Sequence, residues 1–414
     1  MNNISNSEKL IYIKQGRKWL DQFDSMDKGT AISIANNLTL VSHIEFERNL
    51  LSKLENLVSS IKGSVGLFVV RELKSNSSFY SQVTSCNGYS VNALSSSPDQ
   101  GSEARIANII RQLCKSNPRK YLNHPTLKSL RENKSDAIIF VDDLIGSGNR
   151  VHNFLNSLWL ERTIVSWLSG KQIKFHVVAY SGTEDGINYV KKHKSKPQVH
   201  IYRDAPTFNS FPWSNDKKKK IEKLCQKYGY TANKKHKHMW HGYRGGMVAM
   251  VFEHGCPNNT PAILWESGFK GNNWIGLFPN RIISSTITSV FPPEIVRGDP
   301  IEVLMEVGQH RLAKSDSLLR RGFVGQTILI ILALIAKGKR KNSTLSSATG
   351  LNVEECEHFI KKCIEFSFIT PQKRITSKGR DELKAARKSE TKKPFFDIGT
   401  DYYYPEQLRE AAHG

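Results

Sequence analysis

Residues 135–151 read SDAIIFVDDLIGSGNRV, and the fold class follows from this stretch. Residues 137–141 form a short apolar run between polar neighbours, the pattern of a buried strand. Two carboxylates, Asp142 and Asp143, follow at its end. Gly146, Ser147 and Gly148 then make a tight turn, and from Arg150 onward Val151, Phe154, Leu155 and Leu158 recur at helical spacing. The order is strand, acidic pair, small-residue loop, helix. A helix N-terminus offers free backbone N–H groups and the positive end of its dipole, so the loop suits a phosphate. The two acids stand where sugar hydroxyls can donate to them, at the strand end where open α/β sheets bind ligands.

The surrounding sequence repeats the alternation. GLFVV at 66–70 is a strand followed by Arg71 and Glu72, KFHVVAY at 174–180 is a buried strand, and 198–202 is a shorter one. Helical patterns cover 104–115 and 184–192. Strands alternating with helices predict a mostly parallel α/β sheet, with right-handed crossovers setting Asp142 on the same sheet edge as Arg71 and Ser181. Residues 16–61 read as helices, with Trp19, Leu20 and Phe23 on one face and Phe46, Leu50, Leu54 and Leu57 continuing the pattern. Residues 75–97 are rich in Ser and Asn and read as a loop. A basic helix opens at Lys217, and Lys234, Lys235 and Lys237 alternate with His236 and His238. That run is either phosphate-attracting or merely solubilising, and its histidines lack metal-ligand spacing, so no metal is assigned. A strand at 247–252 leads into HGCPNNTPAILW, residues 254–265, whose prolines and asparagines make a rigid turn. Asn258, Asn259 and Trp265 are candidates for contacting a base; Trp265 and Trp274 either stack on one or pack.

The 137–150 stretch resembles the signature of type I phosphoribosyltransferases: an apolar strand, two acids, a few variable residues, Thr-Gly and a small hydroxyl residue. By position, Asp142 and Asp143 match the acids, Ser147 the Thr and Gly148 the Gly, while Asn149 falls at a variable place. Arg150 departs from the pattern, standing where Thr or Ser is usual; it either adds charge to the phosphate site or marks a different ligand. The resemblance implies that Asp142 and Asp143 orient a ribose and that Ile145, Gly146, Ser147, Gly148 and Asn149, with Arg150, hold a phosphate. It further implies that Arg71 neutralises a leaving pyrophosphate, that magnesium accompanies a phosphoribosyl pyrophosphate-like ligand, and that any chemistry occurs at the anomeric carbon through an oxocarbenium-like state. An ordinary strand-turn-helix with exposed acids is the plain alternative.

A second resemblance is narrower. The helical N-terminus, VDDLIGSGN, PNNTPAILW and WIGLFPNR together look like the phosphoribosyltransferase-like effectors of bacterial conflict systems, the PRTase-CE group, over roughly residues 16–281. Some members accompany retron reverse transcriptases in anti-phage defence, joined to a winged helix.

Such a module is legible further on. Residues 325–337 form an apolar helix, 345–349 a second, 353–366 a third; FITPQKRI at 368–375 reads as a hairpin and 377–387 as a last helix. Three helices and a hairpin is winged helix-turn-helix order. Lys339, Arg340, Lys341, Lys373 and Arg374 are candidates for phosphate contact. The third helix starts with Glu354, Glu355 and Glu357, which argues against strong major-groove reading, so protein contact stands as the alternative.

With 414 residues the chain has length for several domains, expected as a helical segment 1–62, an α/β domain 63–310, a winged helix 325–390 and a tail 391–414. A formal charge of +22 points to a polyanionic partner, reverse-transcribed DNA or structured RNA under the retron reading, with a reverse transcriptase as protein partner. No signal peptide or membrane-length apolar run is apparent, and six scattered cysteines without a CxxC pair fit a reducing cytoplasm. The leading expectation is a defence effector acting on a phosphorylated ribose compound. Two rivals remain: a transcription regulator that senses a nucleotide through an inactive domain, and a nucleotide-salvage phosphoribosyltransferase.

Overall fold

The computed structural model describes residues 8–73, 79–80, 101–267, 273–295 and 299–388. Most of the Ser/Asn-rich loop and the C-terminal tail lie outside them. Helices predominate, and five strands form one parallel sheet: β2 (Val65–Val69), β3 (Tyr121–Asn123), β4 (Ala137–Ile145), β5 (Lys174–Gly182) and β6 (Gln198–Asp204), in the order β3-β2-β4-β5-β6. A separate parallel pair joins β1 (Thr39–Val41) to β7 (Met250–Phe252).

β4 is the central strand. Ile139 and Val141 pack into a core on one face, while Ile138 and Phe140 pack into another on the opposite face. A strand covered on both sides needs apolar residues at every position, which is why this segment reads as a continuous run. The strand is longer than expected. It continues through both acids to Ile145, because β5 pairs with it as far as Ile145↔Gly182, whereas β2 stops at Val69↔Val141. The acids thus lie within the strand, on the part that overhangs β2. The strand expected at 247–252 is shortened to Met250–Phe252: Met247 has φ +47° and Val248 bridges antiparallel to Thr207.

A third core joins the N-terminal helices Lys14–Leu20 and Ser25–Asn36 to the helix Asn215–Ala232 and the segment around Trp274. Its centre is aromatic: Phe23 meets Trp19, Tyr228 and Trp274 at 4.8, 4.5 and 5.4 Å between ring centroids. The Trp19 indole N–H donates to the Ile263 carbonyl at 2.9 Å, fixing the amphipathic first helix to this core.

The chain divides into two compact units, Met1–Gly298 with Lys339–His358, and Asp299–Gly338 with Phe359–Gly414. In the second, the helix Phe323–Ala336 is buried almost throughout, Ile369 bridges Ile375 antiparallel, and the helix Ser377–Ala386 is capped by the Thr376 side chain. Arg321 pairs with Glu382 at 2.5 Å. The first unit takes the helix Asn342–Thr349 and the start of the helix Val353–Glu365. There the Arg203 guanidinium at the end of β6 donates to the Gly350 carbonyl at 2.6 Å, and Glu354 pairs with Lys53 at 2.7 Å. The acidic start of that helix has a local cause: the Asn352 side chain accepts from the Glu355 N–H and the Glu355 carboxylate accepts from the Asn352 N–H, a reciprocal capping box.

Phe140 tests this architecture. It is fully buried and meets Phe175 edge-on at 4.9 Å and Phe154 at 5.8 Å. Phe140→Ala should cost about 3–5 kcal/mol in denaturant unfolding; a loss under about 1 kcal/mol would show that β4 is not the centre of the sheet.

Candidate functional site

Where β4 overhangs β2, a cavity of about 550 Å³ opens. It is lined by Asp142 through Val151 and, from other segments, by Glu72, Glu103, Tyr243, Asn258, Asn259 and Arg281. The acids and the glycine loop therefore share one pocket.

The loop is shaped by close backbone approach. Gly148 has φ +78°, and a Cβ there would lie 2.6 Å from the Gly186 carbonyl oxygen. Its conformation costs a residue with a side chain more than glycine. A Cβ on Gly146 would fall 2.0 Å from the Asn259 side-chain oxygen. Thr183 donates to the Gly146 carbonyl at 2.6 Å, tying the loop to the end of β5. Gly148 is also the N-cap of the helix Asn149–Trp159 and has no side chain to cap it, while the Asn149 N–H meets the Ser147 hydroxyl at 3.4 Å. Among the described residues, no protein acceptor takes the N–H of Ser147 or Gly148. The loop thus presents donors and a helix dipole to the pocket.

The acids are bonded in detail. Asp142 Oδ1 accepts from the Asp143 N–H at 3.0 Å and from the Arg150 guanidinium. Asp143 Oδ1 accepts from the Leu144 N–H at 2.8 Å and from Arg150 at 2.7 Å. Asp143 Oδ2 meets His254 Nε2 at 3.2 Å. Asp142, 1% exposed, keeps one oxygen, Oδ2, buried and without a hydrogen-bond partner. Burial pushes the Asp142 carboxyl well above the usual range, with the charge of Asp143 adding to it and Arg150 opposing. Burial also works to raise Asp143, but the Arg150 charge and the His254 hydrogen bond outweigh it and hold Asp143 below the usual range. The two carboxyls share the Arg150 guanidinium and titrate as a unit.

Expected site residues divide on their placement. Asp142, Asp143, Ile145, Gly146, Ser147, Gly148, Asn149 and Arg150 all line the cavity, as do Asn258 and Asn259. Arg150, expected beside the phosphate, directs its guanidinium to the acids instead. Asn149 donates to the Tyr243 hydroxyl at 3.0 Å, and the Asn259 amide donates to the Tyr243 carbonyl at 3.2 Å, so the PNN turn braces the loop. Trp265 is not among the lining residues. It is buried in the third core and its indole N–H is taken by the Thr260 carbonyl at 3.1 Å, because a buried indole needs an acceptor. Arg71 is buried, lies over the Phe79 ring at 5.7 Å, and is likewise absent from the lining. Lys339, Arg340 and Lys341 fall in the first unit, where Lys341 pairs with Glu184 at 3.2 Å; Lys373 and Arg374 fall in the second.

His254, Tyr243 and Arg281 were missed as functional residues. His254 stacks on Phe252 at 4.9 Å and runs parallel to His43 at 6.2 Å. Its signal was a histidine two residues beyond a strand and directly before the PNN turn.

The PRTase-CE family model matches residues 17–280, and the model described as wHTH-PRTase associated matches residues 329–410. The chain belongs to the PRTase-CE family. It carries a phosphoribosyltransferase-like α/β domain followed by a winged helix. No curated protein and no solved structure matches it.

Magnesium, which the phosphoribosyltransferase resemblance implies, does not fit the acidic pair as arranged. A guanidinium already bridges both carboxylates, His254 takes another oxygen, and among the described residues no group of three or more His, Cys, Asp or Glu side chains is placed to hold a metal ion.

The unequal acids make a stability prediction. An acid with a lowered folded pKa stabilises the fold above its unfolded pKa of about 3.9, and that contribution is lost as pH falls. An acid with a raised folded pKa does the reverse: stability is full below its unfolded pKa and is lost as pH rises from there through the folded pKa. At neutral pH Asp143→Asn should therefore cost roughly 2–4 kcal/mol, while Asp142→Asn costs under about 1 kcal/mol. Urea melts of both variants check this, and the reverse order would place the charge on Asp142.

Proposed function

We propose that this chain is an effector of a bacterial conflict system whose α/β domain binds, and by family analogy processes, a phosphorylated ribose compound in the cytoplasm. One observation carries the reading: two carboxylates and a glycine loop at a helix N-terminus, with the Ser147 and Gly148 N–H groups not taken by any described residue, line the same cavity. Asp142 and Asp143 lie where ribose hydroxyls would reach them, and the 146–148 loop has the donors a phosphate requires. Tyr243, Asn258 and Asn259 lie at the pocket wall as polar groups for the rest of the ligand. A retron reverse transcriptase as partner is part of this proposal and rests on resemblance.

A second reading has its own support. The Arg150 guanidinium engages both acids, as suits a domain that senses a nucleotide without turning it over. Turnover of phosphoribosyl pyrophosphate or nucleotides by the purified chain separates the two readings.

Binding itself is tested by thermal stability. Ribose 5-phosphate or phosphoribosyl pyrophosphate at about 100 times its dissociation constant should add roughly 2.7 kcal/mol of stability. The Asp142→Asn/Asp143→Asn double variant should lose that shift. No stabilisation of the native chain by either compound at saturating concentrations would remove the ribose reading.

For the winged helix we propose contact with nucleic acid through the hairpin cations, Lys373 and the exposed Arg374. Sequence preference should be weak, because Glu354 and Glu355 are engaged in an ion pair and a cap rather than freed for bases. Replacing Lys373 and Arg374 with Ala in the full chain should flatten the dependence of log affinity on log salt by about 0.9 per lost phosphate contact on duplex DNA. An unchanged slope would favour protein contact.

A further inference from the structure

Most two-carboxylate pockets for phosphorylated sugars invite a divalent cation, since a cation offsets the charge of both acids and ligand. Here a side chain already occupies that position. Arg150 is the second residue of the helix that follows the loop, and its Nη2 reaches Oδ1 of both Asp142 and Asp143. The guanidinium is the fixed positive charge of the pair, held by two carboxylates that are themselves at most 9% exposed. We infer that Arg150 stands in for a divalent cation, so that this pocket takes a phosphorylated ribose ligand without metal.

Three further points support the inference, which rests on the ribose reading above. The first is charge. The Arg150 guanidinium bridges both carboxylates and offsets their charge, and burial further disfavours a second negative charge on Asp142. A dication arriving at that compensated cluster gains little attraction and must displace or repel a guanidinium. The second is valence. Three of the four carboxylate oxygens are engaged by Arg150, backbone N–H groups or His254. Only Asp142 Oδ2 has no partner. A sugar hydroxyl satisfies that oxygen in either protonation state, because a hydroxyl both donates and accepts. A metal ion satisfies it only when the carboxyl is ionised. The third is the ligand's own charge. Arg281 also lines the cavity, so a phosphate has that guanidinium and the loop N–H donors to offset its charge while Arg150 stays on the acids.

The inference also accounts for the departure from the phosphoribosyltransferase pattern. A Thr or Ser at position 150 has no charge and leaves an acidic pair open; an Arg closes it.

Manganese is the probe for the metal question, because free aqueous Mn²⁺ gives a paramagnetic resonance signal that binding removes. Full-length native chain, without any nucleotide, should leave the Mn²⁺ signal unaltered at millimolar concentration. Arg150→Gln should create a Mn²⁺ site that the further changes Asp142→Asn and Asp143→Asn abolish. A Mn²⁺ site in the native chain that those two Asn substitutions abolish would overturn the inference. This arm needs no ligand, and its native-chain measurement stands even if the Arg150 variant fails to fold.

Calorimetry with ribose 5-phosphate provides the second arm. Affinity of the native chain in EDTA and in millimolar magnesium should agree within about twofold, and a gain of tenfold or more with magnesium, about 1.4 kcal/mol, would overturn the inference while sustaining the ribose reading. Ribose 5-phosphate and phosphoribosyl pyrophosphate both failing to bind in either buffer would overturn the ribose reading, and the claim of metal-free ligand uptake with it. The manganese arm would still decide whether Arg150 excludes a cation.

Discussion

Carrying two carboxylates on the central strand of a sheet buried on both faces creates an electrostatic problem, and the bridge from Arg150 resolves it. The acids cannot sit at the end of β4 uncompensated, since an isolated ionised carboxylate in such surroundings would take up a proton instead. The compensation comes from the next element in the chain. The 146–148 loop is short enough for the following helix to bring Arg150 back over Asp142 and Asp143. That return depends in turn on Gly148 adopting φ +78° against the Gly186 backbone and on Asn259 filling the space beside Gly146. Strand, loop, helix and PNN turn are therefore one arrangement.

Much of this was legible from residue order. A run such as AIIFV has nowhere to go but a two-sided core, and a glycine loop followed by apolar residues at helical spacing has few alternatives. The strand end was less legible. Whether β4 stops at Val141 or runs to Ile145 is decided by how far β5 extends beside it, a property of a strand some thirty residues away that no local pattern encodes.

Side-chain partnerships were hidden for the same reason. Arg150 looked like added charge for a phosphate because a loop beside a helix N-terminus is where anions bind; nothing local says that two buried acids will claim it first. Trp265 lies in a segment dense with turn residues, where exposure for stacking is reasonable, yet the third core draws it in and the Thr260 carbonyl satisfies its N–H. Conversely, the acidic start of the helix Val353–Glu365 suggested a repulsive surface, while its Glu355 is a helix cap whose role depends only on residues three positions away.

The hydrogen bond from Arg203 to the Gly350 carbonyl bears on how such chains diversify. Gly350 lies inside the segment matched by the winged-helix family model, but it packs in the same compact unit as the α/β sheet. Arg203 is only 8% exposed, so its guanidinium depends on that carbonyl. Gene fusion can shuffle modules freely when their seam is a loose tether. Here a recombination joining this sheet to a foreign C-terminal module would strand a buried cation unless the newcomer brought a backbone carbonyl to the same spot. Exchanging either segment alone would leave the Arg203 guanidinium without this carbonyl acceptor.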